Sequence, residues 1–147
     1  MITNERQYRI TRNRANGFAR AIEEFDAEAQ VGLGVHPRLV QAELEGMESQ
    51  LSDLHRELAE YERLKSADLS VISVTSFDEL PDGLIKARIA AGLSQRALAQ
   101  RLELKEQQIQ RYEAERYASA SYRRVCQVAH ALGVRLENEI LLSKPAP

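Results

Sequence analysis

Tryptophan is absent and aromatic residues make up only 5% of the 147 positions, so any core must be built from Leu, Ile, Val and Ala. Seven glycines and four prolines are too few for a turn-rich β fold. The single cysteine, Cys126, has no partner for an internal disulfide, and the histidines at 36, 55 and 130 lack the spacing of a closed zinc site. No apolar run nears the roughly 18 residues of a membrane span. Residues 1–20 are polar and Arg-rich, without the apolar stretch of an export signal. The expectation is a cytoplasmic protein with no membrane partner, no metal and no cofactor.

What is present is charge, unevenly spread. The formal net charge of −2 divides into three blocks. Residues 1–20 hold five Arg and one Glu, residues 21–79 hold four basic and fourteen acidic side chains, and residues 80–147 hold eleven basic and seven acidic. An acidic middle thus lies between two basic ends, an asymmetry that is the first hint of function.

The first half carries two helical stripes. Tyr8, Thr11, Ala15, Phe18, Ile22, Phe25 and Ala29 recur at alternating spacings of 3 and 4, predicting one helix over about 3–30. The stretch 31–37, VGLGVHP, breaks it. Val40, Leu44, Met47, Leu51, Leu54, Leu58 and Tyr61 form a second stripe, and Pro37 suits its first turn. Two helices of about 42 Å each, joined by a short connection, predict an antiparallel hairpin over 1–65. A hairpin buries only one seam. A third surface is expected over Ile10, Ala19, Ala21 and Leu64, with Leu44, Met47, Leu51, Leu54, Leu58 and Tyr61 as a dimer or partner interface. The alternative is a hairpin folded against the rest of its own chain. The acidic residues Glu43, Glu45, Glu48, Asp53, Glu57, Glu60 and Glu62 read as a solvated face. The GLG at 32–34 is no nucleotide motif, since it lacks a preceding strand and a third glycine.

Residues 66–79 read as a linker with a possible short strand, and 135–147 as a strand-like tail. Between them, 80–134 reads as a bundle of short helices with tight joints. One helix over about 82–91 is closed by Gly92, and Ser94 caps a second over 95–102. A third follows over 106–114 and a fourth over about 121–132, ending at Gly133. Helix, short turn, helix within a small bundle is the helix-turn-helix plan. Leu84, Ile85, Ile89, Leu93, Leu98, Ala99, Leu102, Leu104, Ile109, Tyr112, Val125, Val128 and Leu132 are the expected core.

With those turned inward, Glu106, Gln107, Gln110, Arg111 and Ala114 fall on the outer face of the third helix. Gln pairs bidentately with adenine and Arg with guanine, each worth roughly 1–3 kcal/mol of discrimination. Lys86, Arg88, Gln95, Arg96, Arg101, Lys105, Arg116, Arg123 and Arg124 surround that helix as candidate phosphate contacts. Double-stranded DNA is the expected partner.

The run at 93–121, LSQRALAQRLELKEQQIQRYEAERYASAS, resembles the Xre/Cro-type helix-turn-helix of phage repressors and bacterial antitoxins. The resemblance rests on Leu93-Ser94-Gln95, Leu98-Ala99, Ile109 and Arg111-Tyr112-Glu113. It implies a lambda-repressor-like fold over about 80–134, within a mainly α chain. It further implies that Lys105, Glu106, Gln107 and Arg111 face the major groove, and Gln110, on the same outer face, is expected to meet base edges with them. Gln95, Arg96 and Arg101, with Arg116, Tyr117 and Ser119 of the following loop, would lie on phosphates. One departure is Glu103, which stands where such domains usually carry Gly at the inter-helix turn. If that position is left-handed, Glu costs on the order of 1 kcal/mol relative to Gly. The order of helical arm, connector, domain and tail also resembles the HigA-like antitoxin group. Two functions follow: a dimeric transcriptional repressor, or an antitoxin that holds a toxin through its acidic hairpin.

Catalysis is not expected. Cys126 and His130, one turn apart, are the single thiol–imidazole pair, and they read as a small core residue and a surface residue.

Overall fold

The computed structural model describes residues 1–66 and 71–137. Among these described residues seven α-helices follow one another: α1 (Glu5–Glu23), α2 (Ala27–Gly32), α3 (Pro37–Lys65), α4 (Leu80–Ala90), α5 (Gln95–Arg101), α6 (Glu106–Ala114) and α7 (Tyr122–Ala131), with a 3-10 turn (Phe77–Glu79) before α4. The fold is mainly α, a helical hairpin followed by a helix-turn-helix bundle.

The hairpin differs from expectation in one respect. Its first arm is not a single helix to residue 30. It stops at Glu24, and Asp26 starts α2 by accepting a hydrogen bond from the Ala29 amide. An Asp able to cap offers the backbone a local alternative that apolar periodicity does not register. The arms are therefore unequal, 19 residues in α1 against 29 in α3. α3 starts where expected, with Pro37 in its first turn and the His36 ring accepting from the Arg38 amide. α1 and α3 run antiparallel. Tyr8 stacks on Tyr61 with ring centroids 5.3 Å apart. The Tyr8 hydroxyl donates to Glu62, and Lys65 pairs with Glu5 at 2.9 Å.

The base of the hairpin packs against the rest of the chain. Leu58, Tyr61 and Leu64 are buried in one cluster with Ile2, Ala15, Leu84, Ile85, Ile89, Leu98, Ile109 and Val128. Leu51 and Leu54 pack against that cluster half-buried. So Leu58 and Tyr61, expected at an interface between chains, are covered within this one. Leu44 and Met47 remain half-buried further along α3. Of the residues expected under a third surface, Leu64 is covered by the chain itself, whereas Ile10, Ala19 and Ala21 are exposed. Lys86 of α4 pairs with Glu60 of α3 at 2.7 Å, adding a polar tie at the same junction.

No strand occurs among the described residues. Residues 71–75 and 134–137 adopt no regular secondary structure; the rest of both expected strands, at 67–70 and 138–147, lies outside the described residues. The connector nonetheless docks. Val74 lies so close to Gly83 of α4 that a β-carbon there would stand 2.7 Å from its Cγ2.

Candidate nucleic-acid interface

The joints of the bundle set the direction of each helix. Gly92 and Gly133 are left-handed, with φ of 66° and 67°, and close α4 and α7. Between α5 and α6, Glu103 adopts φ 55° although it is not glycine. The Leu104 amide bonds to the Ala99 carbonyl and the Glu103 amide to that of Gln100, so the turn is a complete Schellman closure. The turn has the geometry of its glycine-containing counterparts, and α6 spans 106–114 as read from the sequence. Ser94 and Ser121 cap α5 and α7 by accepting from the Ala97 and Arg124 amides.

On α6, Ile109 and Tyr112 are buried, and Leu98 and Ala99 of α5 are buried with them. This fixes the rotation of α6. Glu106, Gln107, Gln110, Arg111 and Ala114 all face outward and are exposed, as is Lys105 before them. Gln110 donates to Glu106 at 3.1 Å, one turn back, so the acid facing outward has an amide partner on its own helix. Arg111 lies over the Tyr112 ring, 5.8 Å from its centroid. Arg96, Arg101, Arg116 and Ser119 are also exposed. Two of these are engaged: Arg101 donates to the Ala131 carbonyl at 3.1 Å, and Arg116 makes a two-point contact with Asp82 at 2.6 and 2.9 Å.

Three expected phosphate contacts are inside the protein instead. Arg88 is 2% exposed, Gln95 7% and Tyr117 4%. Arg88 grips both carboxylate oxygens of Glu113, which is also buried, and donates to the carbonyls of Leu93 at 2.8 Å and Thr3 at 2.7 Å. Gln95 donates to the same carboxylate at 2.7 Å and accepts from Asn4 at 3.4 Å. A buried carboxylate must find a cation and further donors or lose its charge. Glu113 takes Arg88 and Gln95, and neither has its head group left for a phosphate. The sequence carried a sign of this. Arg88 stands three and four residues after Ile85 and Leu84, on the inward phase of α4, and Glu113 stands four after Ile109. Tyr117, also left-handed at φ 58°, stacks near Tyr112, and burial pushes its hydroxyl well above the ordinary tyrosine range. Lys86, the fourth departure, is spent on Glu60.

The network has a further consequence for layout. Through Thr3 and Asn4 it fastens the start of α1 to the start of α5. A cleft of about 1320 Å³ opens beside this junction, lined by Arg6 and Ile10 of α1 and by Glu106, Gln110 and Ala114 of α6. At the end of α5, Arg101, Arg123, Arg124, Cys126 and His130 border a hollow of about 520 Å³. Cys126 is exposed there, not the small core residue expected, while His130 is on the surface as expected.

Among the described residues no group of His, Cys, Asp and Glu could hold a metal ion, and no helix is long and apolar enough to cross a membrane. The chain has no significant match among curated proteins or among solved structures. Residues 84–137, from α4 to just past α7, match the family model described as Helix-turn-helix, so this part of the chain is similar to helix-turn-helix domains.

Proposed function

We propose that the chain is a sequence-specific transcriptional regulator, a repressor acting as a homodimer, that inserts α6 into the major groove of DNA. One observation carries the reading: Lys105, Glu106, Gln107, Gln110 and Arg111 stand together on the exposed side of the helix that follows the turn, while its other side is anchored in the core. Amide and guanidinium groups so aimed match the hydrogen-bonding edges of adenine and guanine. Arg96, Arg101, Arg116 and Ser119 take phosphates around them, Arg116 by exchanging Asp82 for the duplex. A two-fold dimer of this kind reads half-sites about 34–36 Å apart or a multiple of that.

Selection of bound duplexes from a random pool by the purified chain tests this. A recovered inverted repeat supports the reading, and recovery of random sequence rejects it. Within the selected site, Gln107→Ala and Arg111→Ala lower discrimination by roughly 1–3 kcal/mol per lost base contact. Arg96→Ala weakens binding to all sequences alike and flattens the salt dependence. Equal loss on selected and random DNA for the first two variants would remove α6 as the reading element.

A second reading, an antitoxin of the HigA-like group, is favoured by the far end of the hairpin. Val31, Leu33 and Leu39 are exposed there, Leu33 by 81%, beside the acidic length of α3. A small basic protein encoded next to this chain would be its partner. A stoichiometric complex lost on Leu33→Ser with Leu39→Ser supports that role; a complex indifferent to both rejects the hairpin tip as the contact.

A further inference from the structure

We propose that α1 is a second duplex-contacting element, with Arg6 and Arg9 holding phosphates beside the stretch that α5 and α6 engage. The inference rests on the DNA-binding reading above and extends it to a helix outside the helix-turn-helix domain.

Charge is the first observation. Arg6, Arg9, Arg12, Arg14 and Arg20 are all exposed, and among the described residues none of them forms an ion pair. The antiparallel neighbour α3 is rich in acids, yet those that form ion pairs take other cations: Glu57 takes the Met1 amino group, Asp53 takes Arg56 and Glu60 takes Lys86. Helical phase explains this. Tyr8, Ala15 and Ile22 turn α1 toward α3, and at 3.6 residues per turn Arg6, Arg9 and Arg20 fall on the opposite side, with Asn13 between them. They make a strip about 60° wide and about 21 Å long, at 1.5 Å per residue. Like charges along one side of a helix repel one another, and an anion lying along them relieves the cost.

Position is the second observation, and it is independent of charge. In a helix-turn-helix the first helix crosses the phosphate backbone while the second enters the groove. Here α5 is that first helix, and Asn4 is bonded to Gln95 at its start. Arg88 also donates to the Thr3 carbonyl at 2.7 Å, so two bonds anchor the entry to α1 at that point. Arg6, two residues on, borders the same cleft as Glu106 and Gln110. A duplex that meets α5 and α6 thus has Arg6, the first arginine of the strip, at its edge, with Arg9 about one turn further along α1. The strip spans about six base-pair rises of 3.4 Å.

The test is the salt dependence of binding by the full chain to a duplex from the selection, comparing the unaltered protein, Arg6→Gln with Arg9→Gln, and Arg6→Lys with Arg9→Lys. Two lost phosphate contacts make the slope of log K against log salt shallower by about 1.8. Between 50 and 200 mM salt the unaltered chain then loses about 12-fold more affinity than the glutamine variant. The lysine variant keeps the steep slope, because it keeps the charge. An unchanged slope in the glutamine variant, with Arg96→Ala still flattening it, overturns the role of α1 and leaves the DNA-binding reading intact. Failure of the unaltered chain to bind any duplex overturns both.

Discussion

The hairpin and the helix-turn-helix domain solve the same problem of burial by different means. Along α1 and α3 a single stripe meets its counterpart, and most of each helix remains in water. In the domain, helices of 7 to 11 residues are too short to be stable alone and are held by what they cross. The consequence is a difference in how burial is distributed. Leu84, Ile85, Leu98, Ile109 and Val128 are almost wholly inaccessible within the domain. In the hairpin Leu64 alone reaches that level, and it does so at the base, against the domain. The hairpin therefore borrows its firmest anchorage from the domain, and its far end depends on its own seam.

The sharpest way to break that contrast is to remove the link between the two. Arg88→Ala leaves Glu113 buried without its cation and releases Thr3; it should cost about 3–5 kcal/mol in urea unfolding. A loss below about 1 kcal/mol would mean that water replaces the guanidinium and that the link is not structural. Next in size, Leu64→Ala at the base should cost 2–5 kcal/mol. Leu44→Ala, half-buried nearer the tip, should cost much less. Equal costs would show burial to be even along α3.

Gly83→Ala tests whether the connector belongs to the domain. Ala normally stabilises a helix interior by about 1 kcal/mol over Gly. Here the added methyl meets Val74, and a destabilisation of roughly 1–3 kcal/mol is expected, as for other overpacked sites. A gain in melting temperature would place Val74 elsewhere in solution. Glu103→Gly should stabilise by about 1 kcal/mol, because it relieves a left-handed residue at the turn. No change would mean that the turn relaxes without it.

The smallest effect concerns pH. The hydrogen bond from Lys65 holds the exposed Glu5 carboxyl below its ordinary range. A carboxyl whose folded value is depressed contributes fully above its unfolded value and loses that contribution as pH falls through the folded one. Acid should thus loosen the hairpin slightly, and Glu5→Gln should abolish that component of the pH profile.

Much of this fold was legible in the residues. The core positions of the domain, the limits of α6 and the capping by Ser94 all follow from apolar phase and local side-chain chemistry. The break at Asp26 was not legible, because a strong 3-4 stripe continues across it and conceals a capping residue. The stretches at 71–75 and 134–137 were read as parts of strands, yet apolar alternation says nothing of whether a ladder partner exists. The outward face of α6 was read correctly, as the exposure of Gln107, Gln110 and Arg111 shows, because rotation follows from Ile109 and Tyr112. Arg88 and Gln95 were misplaced for another reason. Residue type argued for surface, while helical phase argued for the interior, and Glu113 decides between them only once α4, α5 and α6 are brought together.

Among the described residues the side chains of Gln107 and Arg111 form no hydrogen bond, whereas Ile109 and Glu113, on the same nine-residue helix, are locked into the interior. Replacements at the first two positions should leave folding almost untouched, within about 0.5 kcal/mol, as exposed sites generally do. Message and scaffold are thus written on opposite sides of one short helix. Under the proposed role of α6, a lineage can drift to a new operator by substitutions at 107 and 111 without first acquiring a compensating change in its interior.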